Sequence, residues 1–255
     1  METSLQEYKV HHFPVLESTN SKALEMIKSG VAGAGDVIYT VQQERGRGQR
    51  EKVWESEAGM GLTLSIVLNP GVKIDTGGFS LSILTALAAH AFVAEELSNT
   101  EDEPEILIKW PNDILINGRK AGGILIENII QGDQISWSVV GVGINLNGHP
   151  EIPGRATTSL IKHTKKNLPP ELALNKFLIH FQNYWERFRG PGRKSLLNEY
   201  KTKLFGLGKE VKFRDATGEF TGKPEDVTET GKIRVKNLND GIIREYYLQG
   251  LEWLI

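Results

Sequence analysis

The sequence predicts an α+β protein: a mixed or antiparallel sheet with flanking helices over residues 1–204, then a small all-β barrel over 205–255. Three observations carry this reading. Strand-like runs between 105 and 145 are split by the turn pairs Asn117-Gly118 and Gly132-Asp133, the pattern of an antiparallel meander. Long apolar helical stretches lie on either side of that run, so the sheet has helices to pack against. From Leu204-Phe205-Gly206-Leu207-Gly208 onward the composition shifts to short strands and turns.

In chain order, Ser18-Thr19-Asn20 begins a helix whose apolar face is Ala23, Leu24 and Ile27, with Gly30 as its stop. Strands are expected at 36–41 and 61–68, the second bounded by Asn69-Pro70-Gly71. A wide apolar face over 79–97 predicts a buried helix. Its most apolar stretch, about 80–93, contains His90 and reads as too short to span a bilayer. The meander strands are expected at 105–110, 114–116, 121–129 and 135–145. Helices follow at 172–187 and 194–203, the first with Phe177, Phe181, Tyr184, Trp185 and Phe188 turned inward as core. Barrel strands are expected at 210–214, 219–227, 232–236 and 242–248, with Asp215-Ala216-Thr217-Gly218, Glu229-Thr230-Gly231 and Asn239-Asp240-Gly241 as turns.

Composition excludes several classes. Among 255 residues there is no cysteine, which removes disulfides, thiolate metal sites and thioester chemistry. A net charge of −2 argues against a protein that coats nucleic acid. Residues 1–20 carry no secretory signal pattern, and a cytoplasmic location is expected, without a membrane or nucleic-acid partner. No G-x-x-x-x-G-K-[ST] loop occurs; Gly208-Lys209 lacks its context. The glycines at 30, 33 and 35 precede a strand instead of following one, unlike a dinucleotide-binding turn. The six histidines, at 11, 12, 90, 149, 163 and 180, show no metal spacing.

Against this neutral background one segment stands out. Glu44-Arg45-Gly46-Arg47-Gly48-Gln49-Arg50, followed by Trp54, has three arginines and two glycines in seven positions. It makes a poor strand and a poor helix, but a good mobile loop that brings guanidinium groups and bare N–H toward an anion. A second constellation follows: Lys109-Trp110-Pro111-Asn112-Asp113, then Gly118-Arg119-Lys120 and Gly122-Gly123-Ile124-Leu125. Two such glycine-flanked, cationic segments suggest a site for a phosphorylated or carboxylated ligand.

Together with Ser18-Thr19-Asn20, Gln43 and Gly141-Val142-Gly143-Ile144-Asn145, in this order across about 13–160, these segments resemble the biotin–protein ligases. The resemblance implies a class II synthetase-like catalytic domain and an SH3-like C-terminal barrel. It implies MgATP and biotin as reactants, biotinyl-5′-AMP as intermediate, and a lysine of a biotin carboxyl carrier domain as acceptor. Lys120 would contact biotin's carboxylate and the reacting phosphate, where charge must be neutralised; taken alone it reads as a solvated hairpin lysine, exposed in the free enzyme. Arg47, the second catalytic candidate, would meet the phosphate with the Gly46 and Gly48 amides. The loop over 44–53 would then close over the adenylate and exclude water.

Ser18, Thr19, Asn20 and Gln43 are neutral polar groups suited to biotin's ureido ring, although Ser18 or Thr19 also suits a helix cap. Gly46, Gly48, Gln49, Gly122 and Gly123 complete the implied biotin contacts. Arg50, Trp54, Lys109, Asn112 and Asn145 join Arg47 and Lys120 on the nucleotide side, with Trp54 near the adenine. Two readings stay open for Asp113: a Mg²⁺ contact, or a turn carboxylate paired with Lys109 or Arg119. Many family members carry arginine where this chain has Gln49, and glycine where it has Glu51, which suggests looser adenylate retention.

A lipoate–protein ligase would share the adenylation logic but would want an apolar tunnel, and a non-enzymatic nucleic-acid binder would want a basic stripe. A motif starting at residue 18 leaves no room for an N-terminal helix-turn-helix, so an enzyme without DNA binding is expected. A homodimer is possible on this reading.

Overall fold

Helix α2 (Ile74–Leu97) is the element around which the others pack. Leu81, Leu84, Leu87, Ala88 and Phe92 along it are buried completely. By length and hydropathy Gly77–Leu97 would qualify to cross a membrane, against the expectation that the stretch is too short, yet here it is a core helix. It extends five residues further toward its N-terminus than its apolar pattern predicts. The coordinates are a computed structural model that describes residues 8–49, 53–152, 154 and 156–254.

One face of α2 packs on α4 (Pro170–Arg189), where Phe92 meets Phe177 edge-on at 6.2 Å between ring centroids. Phe177, Phe181, Trp185 and Phe188 are core residues, as their spacing predicts; truncating Phe177 to alanine would cost about 3–5 kcal/mol. Tyr184 is only half-buried, because its hydroxyl donates to Glu199 Oε1 at 2.6 Å on α5 (Arg193–Thr202).

The other face of α2 lies on a mixed sheet. Its strands are β1 (Lys9–Leu16), β2 (Asp36–Gln43), β5 (Gly61–Leu68), β10 (Gln134–Asn145), β9 (Arg119–Gln131), β8 (Asp113–Ile116) and β7 (Ile106–Lys109) in spatial order, with the short β6 (Val72–Lys73) beside β10. β7 to β10 form the expected antiparallel meander. The pairing of β1 with β2 is parallel and makes the sheet mixed. β1 is an edge strand that the periodicity does not reveal, since Pro14 and two histidines interrupt its alternation; an edge is where a proline can be tolerated.

Strand alternation gives this sheet two unlike faces. Leu62, Leu64 and Ile66 of β5, Ile124 of β9, and Val140, Val142 and Ile144 of β10 join the α2 core. Their neighbours face the opposite way, toward α1 (Thr19–Lys28), where Ala23, Met26, Ile38, Val67 and Val139 form a small second cluster. The rest of that second face carries Ser65, Gly123, Gly141 and Gly143, small residues that leave a hollow beside the α1 N-terminus.

After α5 the chain runs along β7, with Phe205 N donating to Ile108 O at 2.9 Å, before entering a five-stranded antiparallel sheet. Its strands are β11 (Val211–Asp215), β12 (Gly218–Val227), β13 (Ile233–Asn237), β14 (Ile243–Tyr246) and β15 (Glu252–Trp253). β15, two residues long, pairs with β11 and is the strand the turn pattern misses. Phe213, Phe220, Val235 and Trp253 fill this unit, and its core is continuous with that of the larger sheet.

Candidate functional site

The hollow is a cleft of about 410 Å³, with walls from the α1 N-terminus, the segment after β2, the β7–β8 bend, β9 and β10. Ser18 caps α1 by accepting from Ser21 N at 3.4 Å. It holds the helix start with Thr19 and Asn20 buried behind it. Gln43 Oε1 accepts from Thr19 N at 2.8 Å and from Thr19 Oγ1 at 3.3 Å. The buried Ser65 hydroxyl sits 2.8 Å from Thr19 Oγ1 and 2.6 Å from Asn20 Oδ1. Asn20 Nδ2 donates to Leu125 O at 3.2 Å and to Glu127 Oε2 at 2.9 Å. A Cβ on Gly141 would collide with Asn20 Oδ1, so this glycine is what lets the carboxamide lie on the sheet.

The arginine–glycine segment is not wholly irregular. Gly46–Arg47 (β3) pairs with Val53–Trp54 (β4) in a small two-stranded sheet. The pairing is so close at Gly46 that a Cβ would strike the Trp54 carbonyl and approach Gln43 Nε2 to 2.5 Å, which explains how a poor strand former pairs here. Trp54 seats against the glycines of the sheet: a Cβ on Gly143 would run into its indole, and one on Gly123 would sit 3.3 Å from its Cζ3. Arg47 reaches across to Glu127, Nη1 to Oε2 at 3.0 Å and Nη2 to Oε1 at 2.9 Å. Arg50 and Glu51, with Lys52, lie outside the described residues.

Lys120 is the second residue of β9 and is clamped by its backbone: its N donates to Ala156 O at 2.8 Å and its O accepts from Thr158 N at 2.9 Å. The side chain is not the exposed hairpin lysine the turn suggests. It is half-buried, with Nζ 2.5 Å from Asp113 Oδ1 and 5.7 Å from the Trp54 ring centroid. Among the described residues the ion-pair partner of Asp113 is Lys120, which the β8–β9 register places opposite Leu115, two positions along β8 from Asp113. Arg47 and Lys120 each face a different carboxylate.

Below them the β7–β8 bend is held from three sides. Asn112 is buried and its Nδ2 donates to Ile124 O, while Ile124 N donates back to Asn112 O at 3.1 Å. Tyr200 OH donates to Pro111 O at 2.8 Å, and burial first, then the Asp113 charge, holds this phenol protonated well above its usual range. Trp110 Nε1 donates to Gly231 O at 3.1 Å, which ties the bend to the five-stranded unit. Asn145 is also buried, with Nδ2 on Thr158 O at 2.9 Å.

Thus the cleft gathers Ser18, Thr19, Asn20, Gln43, Arg47, Gly48, Gln49, Trp54, Lys109, Asn112, Asp113, Lys120, Gly123 and Asn145 of the residues selected from sequence. Gly46 and Gly122 are outside its lining. Gly46 serves the β3–β4 contact, and Gly122 points into the core, where a Cβ would sit 3.3 Å from Ile144 Cγ1. One-residue alternation separates it from Gly123. Gly141 and Gly143 line the cleft as well, although the sequence reading quotes them only as part of a motif and gives them no role. Ser65 and Glu127, which hold Asn20 and Arg47, are residues that it leaves out. Leu248, Leu251 and Trp253 of the C-terminal unit also border the cleft.

Chemically, one end offers neutral donors and acceptors, and the other offers cations beside a carboxylate. No group of three His, Cys, Asp or Glu able to hold a metal occurs among the described residues. Asp113 suits Mg²⁺ only in the way nucleotide sites use it, as a single protein carboxylate with phosphates completing the shell.

The family model described as the biotin/lipoate A/B protein ligase family matches residues 12–145. The bifunctional ligase/repressor BirA of Bacillus subtilis is 29% identical over 246 residues, 94% of this chain and 72% of that protein. A biotin–[acetyl-CoA-carboxylase] ligase of Paracoccus denitrificans is 29% identical over 222 residues, 85% of this chain and 90% of its own. In fold, the chain is similar to a biotin protein ligase from Aquifex aeolicus in complex with biotin and ATP, with a TM-score of 0.75, 24% identity, and coverage of 96% and 98% of the two chains. With more than half its length matched by that model, across the strands and helix that build the cleft, the chain belongs to the biotin/lipoate A/B protein ligase family.

Proposed function

We propose that this chain is a biotin–protein ligase. It joins biotin to ATP as biotinyl-5′-AMP and then transfers the biotinyl group to a lysine of a biotin carboxyl carrier domain. The observation that carries this reading is the polarity of the cleft: neutral hydrogen-bonding groups at the α1 end, and Lys120 beside Asp113 at the other. A ureido ring needs donors and acceptors without charge, and a carboxylate brought onto a phosphate needs a cation. The name of the Paracoccus denitrificans relative, a biotin–[acetyl-CoA-carboxylase] ligase, supports the same activity.

In the first step a carboxylate oxygen of biotin bonds to the α-phosphorus and pyrophosphate leaves. Lys120, released from Asp113 or shared with it, neutralises the developing charge. Asp113 is the side chain that would hold Mg²⁺, and the ion would supply further charge neutralisation at the phosphates. Thr19, Asn20 and Gln43 orient the ureido ring, and Trp54 and Arg47 cover the cleft against water. In the second step the carrier lysine's uncharged amine attacks the acyl carbon, AMP leaves, and the amine gives up a proton. A cytoplasmic location fits the reactants.

The test is exchange of labelled pyrophosphate into ATP, run with biotin and with lipoate. Exchange that needs biotin supports the proposal; no exchange, or equal exchange with lipoate, would overturn it.

A further inference from the structure

Glu127 is a charged residue on the hollow face of β9, four positions beyond Gly123 and so about 13 Å along the strand. Its side chain is 23% exposed. Both oxygens are used: Oε1 accepts from Arg47 Nη2 at 2.9 Å, and Oε2 accepts from Arg47 Nη1 at 3.0 Å and from Asn20 Nδ2 at 2.9 Å. Through Asn20 the chain of contacts continues to Ser65, Thr19 and Gln43.

A half-exposed ion pair adds little stability, so stability does not account for placing a carboxylate here. Geometry does. A planar guanidinium gripped at two oxygens has one orientation, and the same grip sets which way the Asn20 amide points. Asn20 Oδ1 is then directed at Ser65, and Nδ2 at Leu125 O and Glu127.

We propose that Glu127 is a positioning residue that couples the two halves of the site. One carboxylate fixes Asn20, on the side that would receive biotin, and holds Arg47 over the cleft, on the segment that would cover the nucleotide. This rests on the ligase reading above for its substrates, but the coupling itself is a property of the unliganded protein.

The test compares Glu127→Ala and Glu127→Gln in biotin-dependent pyrophosphate exchange. Glutamine can still accept from Asn20 but cannot hold the guanidinium by two charged bonds. Glu127→Ala should raise the KM for both biotin and ATP, each roughly tenfold, with kcat within about threefold of wild type. Glu127→Gln should leave the biotin KM within about twofold and raise the ATP KM. A biotin KM unchanged in Glu127→Ala would overturn the coupling, as would an ATP KM unchanged in Glu127→Gln. So would a fall in kcat and melting temperature together, alike in both variants. If the wild-type protein shows no biotin-dependent exchange, the ligase reading fails by itself. The coupling is then read from amide hydrogen exchange at Gly46–Gly48 without ligand: severalfold faster in Glu127→Ala if it holds, unchanged if it does not.

Discussion

The two faces of the central sheet are made by the same strands and are built to opposite ends. Toward α2, Leu64, Ile66, Ile124, Val140, Val142 and Ile144 close-pack. Toward α1, their immediate neighbours Ser65, Gly123, Gly141 and Gly143 are small, and the space they leave is occupied by Asn20, Trp54 and the cleft. A period of two lets each strand spend alternate residues on stability and on a binding hollow. The lesson is that Gly-x-Gly in β10 is a strand feature with its open side toward the site, not a turn.

The sharpest break of this comparison is on the packed face. Ile144→Ala should lower stability by about 2–5 kcal/mol, seen in the denaturant midpoint, while the KM for biotin changes little. On the hollow face, Lys120→Ala should cost on the order of a hundredfold in adenylation, about 3 kcal/mol, with an unchanged melting temperature. A variant within threefold of wild type would reduce Lys120 to an ion-pair partner of Asp113.

The packed face also has a pH signature. His90 on α2 is buried, with Nε2 3.1 Å from Ile106 O, and burial with the Lys203 charge lowers its pKa to about 4. The unfolded chain takes up this proton near pH 6.5, the folded chain only near 4. Stability from this group is therefore full above pH 6.5, falls as the pH drops toward 4, and is level below; the loss is up to about 3 kcal/mol. His90→Gln should flatten that part of the stability–pH curve, and no change in slope would contradict the assignment. The smallest effect is expected at Gln49, which lines the cleft beside Arg47. Gln49→Arg would add a charge-assisted bond to an adenylate phosphate and should slow its release a few-fold in stopped-flow, with formation unchanged.

What was legible in the sequence follows the same division. The meander, the buried aromatic stripe of α4 and the two cationic segments depend on local period and turn chemistry, and these can be read residue by residue. The β3–β4 pair depends on Trp54 seating against Gly143, almost ninety positions away, and β1 depends on a neighbouring strand to accept its Pro14-broken alternation. Glu127 sits in an aliphatic run where it reads as one solvated carboxylate; only the fold brings Arg47 and Asn20 to it. Lys120 and Asp113 were both selected, but their pairing is set by the strand register at a bulge, which no spacing rule provides.

The direct test of the two-faced sheet is calorimetric titration of biotin into Gly143→Val beside Ile144→Ala, with melting curves of both. These residues are adjacent and point to opposite faces. The account predicts that Gly143→Val loses at least tenfold in biotin affinity as the new side chain displaces the Trp54 indole, and keeps its melting temperature within a few degrees. Ile144→Ala should do the reverse. Parallel losses of affinity and stability in both variants, or wild-type affinity in Gly143→Val, would contradict it.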